Sequence, residues 1–373
     1  MPQDSTVVVL GGSYGGGQKA ISSALVSYLE DRKQTSIEVH AVDLLERFAP
    51  GLTVLARFGY ERSVDFFPSL EGTFQDLARD PKHEAVVREL RASALPSLTR
   101  FLGEVEPSAV ISTFPLAGGL VAECKADRRF VAATLVSDPA PQAVWVHPAT
   151  DLYFVAGADA RDDLVLRGVG WDRVIVAGIP VQVEGEEPLS GVSRSGKPAK
   201  LTVAIAAGAG MAHVVETVVA LATGGIRVRV STGGDSRLSR RLRDAAVPHG
   251  LVEVFDSNED TGTMVRGAAV VLARPGSQAA HVAMAAAIPI VLSQPIPGHE
   301  VRNADYLVNH GAALLARDDA DALEKVRFLT GDRGRAEQMT GNMRALAGAG
   351  AAQVICERIL AAIDQTDGMT EGQ

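Results

Sequence analysis

Cysteine is almost missing from this chain: 373 residues contain two, Cys124 and Cys356, far apart and without a metal-ligand neighbour at short spacing. Both therefore read as buried free thiols with no chemistry assigned. The eight histidines, at 40, 83, 147, 213, 249, 281, 299 and 310, lack the paired spacing of a zinc site, so no metal is expected. No run reaches about 18 uninterrupted apolar residues, which predicts no membrane span. The opening MPQDSTVVVLGG has no basic region ahead of a long apolar run and reads as the start of a strand, giving a cytoplasmic expectation. Positive charge is in deficit as well. The 36 basic and 45 acidic residues are dispersed and sum to -9, so there is no cationic footprint for nucleic acid.

What the chain does contain is an ordinary globular mix, 46% apolar and 22% charged, at a length suited to two domains. In the first half, strand-like runs at Thr6–Leu10, Ile37–Ala41, Ala109–Ser112, Val131–Ser137, Leu152–Val155 and Val174–Ala177 alternate with helical patterns such as Gln18–Glu30 and Glu84–Phe101. After Gly178-Ile179-Pro180 the texture turns to Gly, Pro, Ser and charge, which marks a linker. Strand-like runs resume at Leu201–Ala206, Arg227–Ser231, Leu251–Phe255, Ala269–Leu272 and Ile290–Leu292, and from Asp319 onward the chain reads as helical with a break at 348–350. This alternation predicts an α/β protein with two doubly wound parallel sheets. The expected organisation is a Rossmann-like domain at 1–182, a linker at 183–200, a second Rossmann-like domain at 201–350, and a helix at 351–366 that crosses back to the first domain.

Two glycine turns follow strands and precede helices: Gly11-Gly12-Ser13-Tyr14-Gly15-Gly16-Gly17-Gln18 and Gly208-Ala209-Gly210. Backbone amides turned by glycine at a helix start suit negative charge. Neither turn completes a dinucleotide fingerprint, and the first lacks the Lys-Ser/Thr ending of a phosphate-binding P-loop, so packing turns explain them equally well.

A more specific pattern is Ala273-Arg274-Pro275-Gly276-Ser277-Gln278, continued by Pro295-Ile296-Pro297-Gly298-His299-Glu300-Val301-Arg302-Asn303. It resembles the donor-binding half of the monogalactosyldiacylglycerol synthase and processive diacylglycerol glucosyltransferase family, which is related to the peptidoglycan N-acetylglucosaminyltransferase. The resemblance extends to Val136-Ser137-Asp138, Trp145-Val146-His147-Pro148, Asp151-Leu152-Tyr153-Phe154-Val155 and Gly178-Ile179-Pro180-Val181, in the same order along the chain. It implies the GT-B glycosyltransferase architecture, two facing Rossmann-like domains with a cleft between them, and inverting transfer from a nucleoside diphosphate sugar. The donor is foremost a UDP-sugar, with GDP or another base left open, and no cofactor or metal is implied. The acceptor is a lipid or a small molecule such as a specialised metabolite or thiol; peripheral membrane contact and oligomeric state stay open.

Carried over residue by residue, the resemblance assigns donor binding to Gly208, Gly210, Phe255, Arg274, Gly276, Ser277, Gln278, His299, Glu300 and Asn303. It assigns the acceptor or phosphate loop to Gly15, Gly16, Gly17 and Gln142, and catalysis to Asp138 and Gln18. Several positions depart from the family. Gln18 and Gln142 stand where the family has histidines, and an amide is no general base. Val282 stands for a ribose-holding Glu, Ala279 for a Thr, and His299 for a Gln. An altered transferase using Asp138 as its base is the leading reading; an inactive sugar-nucleotide-binding protein and a nucleotide-sugar epimerase are the alternatives. The aromatic segment from Pro50 to Leu70 has mixed charge and reads as a cover over the acceptor site.

Overall fold

The computed structural model describes residues 5–11, 16–31, 37–50, 81–125, 128–141, 143–180, 201–207, 213–245, 247–256, 261–275, 277–293, 295, 299–346 and 350–370, with the backbone alone at 16–20, 81–90, 278, 285, 299 and 367–370. The chain divides into two compact units, one of Met1–Gln182 with Gly348–Gln373 and one of Val183–Ala347.

The first unit contains strands β1 (Ser5–Gly11), β2 (Ile37–Asp43), β3 (Ala109–Ser112), β4 (Val131–Val136), β5 (Leu152–Val155) and β6 (Val174–Val176). Its helices are α1 (Gly16–Glu30), α2 (Leu44–Phe48), α3 (Pro81–Val105), α4 (Pro115–Cys124) and α5 (Ala158–Leu166). The second unit contains β7 (Thr202–Ala206), β8 (Arg227–Ser231), β9 (Val252–Phe255), β10 (Val270–Ala273), β11 (Ile290–Ser293) and β12 (Ala313–Ala316). Its helices are α6 (Val214–Thr223), α7 (Ser236–Asp244), α8 (Thr261–Val265), α9 (Gln278–Ala285), α10 (His299–Asn309), α11 (Asp319–Gly331) and α12 (Arg333–Leu346); α13 (Ala351–Thr370) follows and belongs to the first unit.

The first sheet has the order β2-β1-β3-β4-β5-β6 and is parallel throughout. Successive residues of β1 serve opposite faces. Val8 and Leu10 join Val110 and Ala132 under Phe48, Leu98, Leu102 and Leu120, whereas Val7 and Val9 join Ile111 and Leu135 under Ile21, Leu25 and Leu29 of α1. This period of two, with both faces covered, explains why the central strands β3, β4 and β5 are mainly apolar, while the edge strand β2 carries Glu38 and His40. Ile355, Cys356, Ile359 and Ile363 of α13 complete the second of these layers. A stretch from Arg333 to Thr366 includes an 18-residue window with a mean hydropathy of 1.5, enough by length and composition for a membrane span. It comprises α12 and α13, with Gly350 at φ +74° before α13, and those four residues of α13 are buried. The apolarity of α13 is thus that of a core helix.

The second sheet has the order β12-β11-β10-β7-β8-β9, again all parallel. It has one strand more than the sequence patterns predicted: Ala313-Leu314-Leu315-Ala316 pairs with β11 although it has no β-branched residue. Pairing and burial override its weak intrinsic preference. Both units are thus Rossmann-like, doubly wound α/β layers. Each sheet has one point where consecutive connections run in opposite directions, between β1 and β3 in the first and between β7 and β10 in the second. The carboxyl ends of the strands beside such a point form the ligand crevice of doubly wound sheets.

Candidate functional site

In the first unit, the glycine turn follows β1 and Thr113 follows β3, on the two sides of the switch point. A Cβ at Gly11 would lie 2.8 Å from Ser22 Oγ and 3.2 Å from Thr113 Oγ1, so this strand end tolerates no side chain. Ser22 and Thr113 also share a hydroxyl hydrogen bond of 3.3 Å. The backbone of Gly16, Gly17 and Gln18 forms the first turn of α1. Gly15 and Gln142 lie outside the described residues, as does most of the aromatic segment expected to cover the site.

Asp138 follows β4 and is 8% exposed. Its Oδ2 accepts a 2.9 Å hydrogen bond from the indole Nε1–H of Trp145, which is itself buried in a short 3-10 turn. The loop carrying Trp145 is tied down twice more. Tyr153 Oη accepts from the His147 amide at 2.8 Å and donates to the His147 carbonyl at 2.9 Å. His147 Nε2 lies 3.1 Å from the Pro115 carbonyl at the start of α4, and its ring packs against the bare backbone of Gly118 and Gly119. Burial holds the His147 imidazole below its ordinary pKa, against the opposing pull of the Pro115 carbonyl and Glu123. A neutral imidazole donating from Nε2 fits this position. The Asp138 carboxylate is therefore presented by a loop with several independent restraints.

In the second unit, Arg274 follows β10, at the switch point beside β7. Its Nη2 donates to Glu300 Oε1 at 2.7 Å, with both side chains about nine-tenths buried. Glu300 stands in the first turn of α10, and Asn303, on the same helix, is 4% exposed. Ser277 is the N-cap of α9: its Oγ accepts from the Ala280 amide at 3.2 Å, and its own amide donates to the Arg274 carbonyl at 3.1 Å. The β10–α9 turn is thus closed by its own backbone and cap. His281 Nδ1 lies 2.9 Å from the Ser277 carbonyl, so this imidazole helps to tie down the same helix start.

Val282 and Ala279, at the positions of the family's Glu and Thr, are buried in α9, and an apolar surface replaces two polar groups there. Phe255 ends β9, and its carbonyl accepts from the Thr232 amide at 2.9 Å, so one main-chain group of this assigned donor residue is already engaged. Gly208, Gly210 and Gly276 lie outside the described residues, while Gln278 and His299 are the first residues of α9 and α10 with backbone alone described.

Two contributors were not singled out from the sequence. Trp145 lay within the recognised motif, but nothing in its spacing pointed to Asp138. Asp319 carried no signal at all: it begins α11, and its Oδ2 accepts from the His213 amide at 2.8 Å, just after the second glycine turn. Among the described residues, no group of three or more His, Cys, Asp or Glu side chains could hold a metal ion.

The family model for monogalactosyldiacylglycerol (MGDG) synthase matches residues 18–181. A processive diacylglycerol beta-glucosyltransferase of Staphylococcus aureus (strain MRSA252) is 23% identical over 366 residues, covering 96% of this chain and 93% of that protein. Among solved structures, UDP-GlcNAc 2-epimerase from Neisseria meningitidis bound to UDP-GlcNAc has a TM-score of 0.61 at 16% identity, covering 95% of this chain and 100% of the other. Acinetobacter baumannii MurG has a TM-score of 0.59 at 14% identity, covering 96% and 99%. These structural likenesses establish the fold alone. The chain thus has the GT-B glycosyltransferase fold, and its sequence is similar to the monogalactosyldiacylglycerol synthases and processive diacylglycerol glucosyltransferases.

Proposed function

We propose that this chain transfers a glycosyl group, with inversion, from a nucleoside diphosphate sugar, foremost a UDP-sugar, to a hydroxyl of a diacylglycerol-type lipid. The observation that carries the reading is the position of Arg274, Ser277, Glu300 and Asn303, four residues of the donor motif, on the turn and helix that follow β10 and β11 beside the second switch point. The lipid acceptor is favoured over a soluble one by the activity named for the relatives that span the chain.

In the proposed reaction the acceptor hydroxyl oxygen attacks the anomeric carbon as the bond from that carbon to the diphosphate oxygen breaks. The hydroxyl proton passes to Asp138, and the nucleoside diphosphate leaves with the bonding electron pair. Trp145 orients the carboxylate through its hydrogen bond to Oδ2. Gln18, an amide, serves as a hydrogen-bonding group to the acceptor or a phosphate. Arg274 and the amides at the start of α9 offset charge on the departing diphosphate, while Glu300 and Asn303 hold sugar hydroxyls. Gly208, Gly210, Gly276, Gln278 and His299 complete the proposed donor set; Gly15, Gly16, Gly17 and Gln142 complete the acceptor side. Phe255 borders the base.

The test is incubation of the full chain with diacylglycerol vesicles and a panel of UDP- and GDP-sugars, with mass spectrometry of both lipid and nucleotide products. A lipid glycoside that disappears with Asp138→Ala is expected. Conversion of the donor sugar to an isomer without any acceptor would instead establish the epimerase reading. Nucleotide binding without any product would establish an inactive binding protein.

A further inference from the structure

The second unit buries a hydroxyl that its own fold leaves unused. Ser293, the last residue of β11, is 1% exposed, and its Oγ has no hydrogen-bond partner among the described residues. Other hydroxyls along the same carboxyl edge are engaged: Thr232 Oγ1 pairs with Ser239 Oγ at 2.9 Å, and Ser277 Oγ caps α9. Burying a hydroxyl without a partner costs folding free energy, and a partner supplied by a ligand recovers it.

The place of Ser293 identifies the ligand. The β10–β11 register pairs Ala273 with Leu292; continued by one residue, it brings Ser293 level with Arg274. In a parallel pair, residues level with one another face the same side of the sheet. Ser293 therefore lies beside Arg274 of the donor motif, at the edge from which the chain leads to Glu300 and Asn303. A strand end needs no serine for its own sake, since apolar and β-branched residues fill such buried positions better.

We propose that Ser293 is a donor-site residue whose hydroxyl hydrogen-bonds an oxygen of the β-phosphate or of the sugar in the nucleotide sugar. This rests on the donor-site reading above. The experiment compares the wild-type full chain with Ser293→Ala by two measurements: thermal melting without ligand, and calorimetric titration with UMP, UDP, UDP-glucose and the corresponding guanosine compounds. The variant is expected to melt no lower than wild type and to bind the preferred nucleotide sugar roughly 10-fold more weakly, with nucleoside monophosphate binding unchanged. A loss shared by the free diphosphate assigns the contact to the diphosphate, and a loss confined to the conjugate assigns it to the sugar; either supports the proposal. Unchanged affinity overturns it. So does equal weakening of the monophosphate, which would put the contact on the nucleoside or the α-phosphate, or a fall in melting temperature of about 3 °C or more, which would reveal a structural partner. Failure of the wild type to bind any compound in the panel would sink the donor-site reading itself and this assignment with it, an outcome visible before the variant is measured. Ser112→Ala serves as the control. Ser112 ends β3 in the first unit with an equally buried, unpartnered Oγ, and its loss should leave nucleotide affinity unchanged.

Discussion

Both sheets bury a carboxylate near their carboxyl edge, but they give it different company. In the first unit Asp138 receives the neutral indole N–H of Trp145; in the second, Glu300 receives the guanidinium of Arg274. An indole donates a neutral hydrogen bond, whereas a guanidinium both donates and neutralises. The first arrangement suits a group that takes up a proton, and the second suits a fixed acceptor inside a neutral pair. The difference teaches that two similar sheets acquire distinct chemistry from the donor that a neighbouring loop or strand end sends to the edge.

The largest expected effect tests Asp138 as the base. Asp138→Asn should lower turnover by about 10² to 10⁴-fold, while the amide oxygen still accepts from Trp145 and nucleotide-sugar affinity stays unchanged. A variant with near-normal turnover would break the comparison, because Asp138 would then not be the group that takes up the proton. Next is Arg274→Met, which leaves the buried Glu300 carboxylate without its cation and should cost about 3 to 5 kcal/mol in denaturant unfolding. Adding Glu300→Gln should restore much of that loss. If it does not, charge compensation is not what Arg274 supplies.

Trp145→Phe is the corresponding cut in the first unit, and a smaller one. Loss of the donor to a buried carboxylate oxygen should cost about 1 to 3 kcal/mol and reduce turnover, with donor affinity intact. The smallest effect is a pH dependence from His147. Its pKa in the folded chain lies below the ordinary 6.5, so the unfolded chain binds the proton first as the pH falls. The stability contributed by the neutral ring is complete above pH 6.5 and declines below it, at up to about 1.4 kcal/mol per pH unit. Unfolding measured at several pH values should show this slope in wild type and not in His147→Gln; an identical slope in both would assign it to other groups.

The two edges also differed in how far they could be read from sequence. Arg274, Ser277, Glu300 and Asn303 stand within one motif, so their common neighbourhood was legible, although the direct bond between Arg274 and Glu300, 26 residues apart, was not. Asp138 was legible as a candidate, but its partner Trp145 was visible only as a matched motif residue. A hydrogen bond across a loop depends on the path of that loop, which Tyr153, His147 and Pro115 set together. Asp319 and Ser293 carried no signal, because a helix-start aspartate and a strand-end serine are ordinary in sequence. The strand Ala313–Ala316 was missed for a related reason: alanine and leucine favour helix locally, and only pairing with β11 makes the segment a strand.

By itself the sequence determined the α/β alternation, the apolar central strands of the parallel sheets and the donor motif, since period-two and helical burial patterns are local properties written in consecutive residues. Tertiary structure alone decided the strand order with its two switch points, the pairing of Asp138 with Trp145 and of Glu300 with Arg274, and the unpartnered hydroxyl of Ser293. These depend on which distant segments become neighbours and on what remains to satisfy a polar group once water is excluded, and neither is encoded in any single stretch of chain.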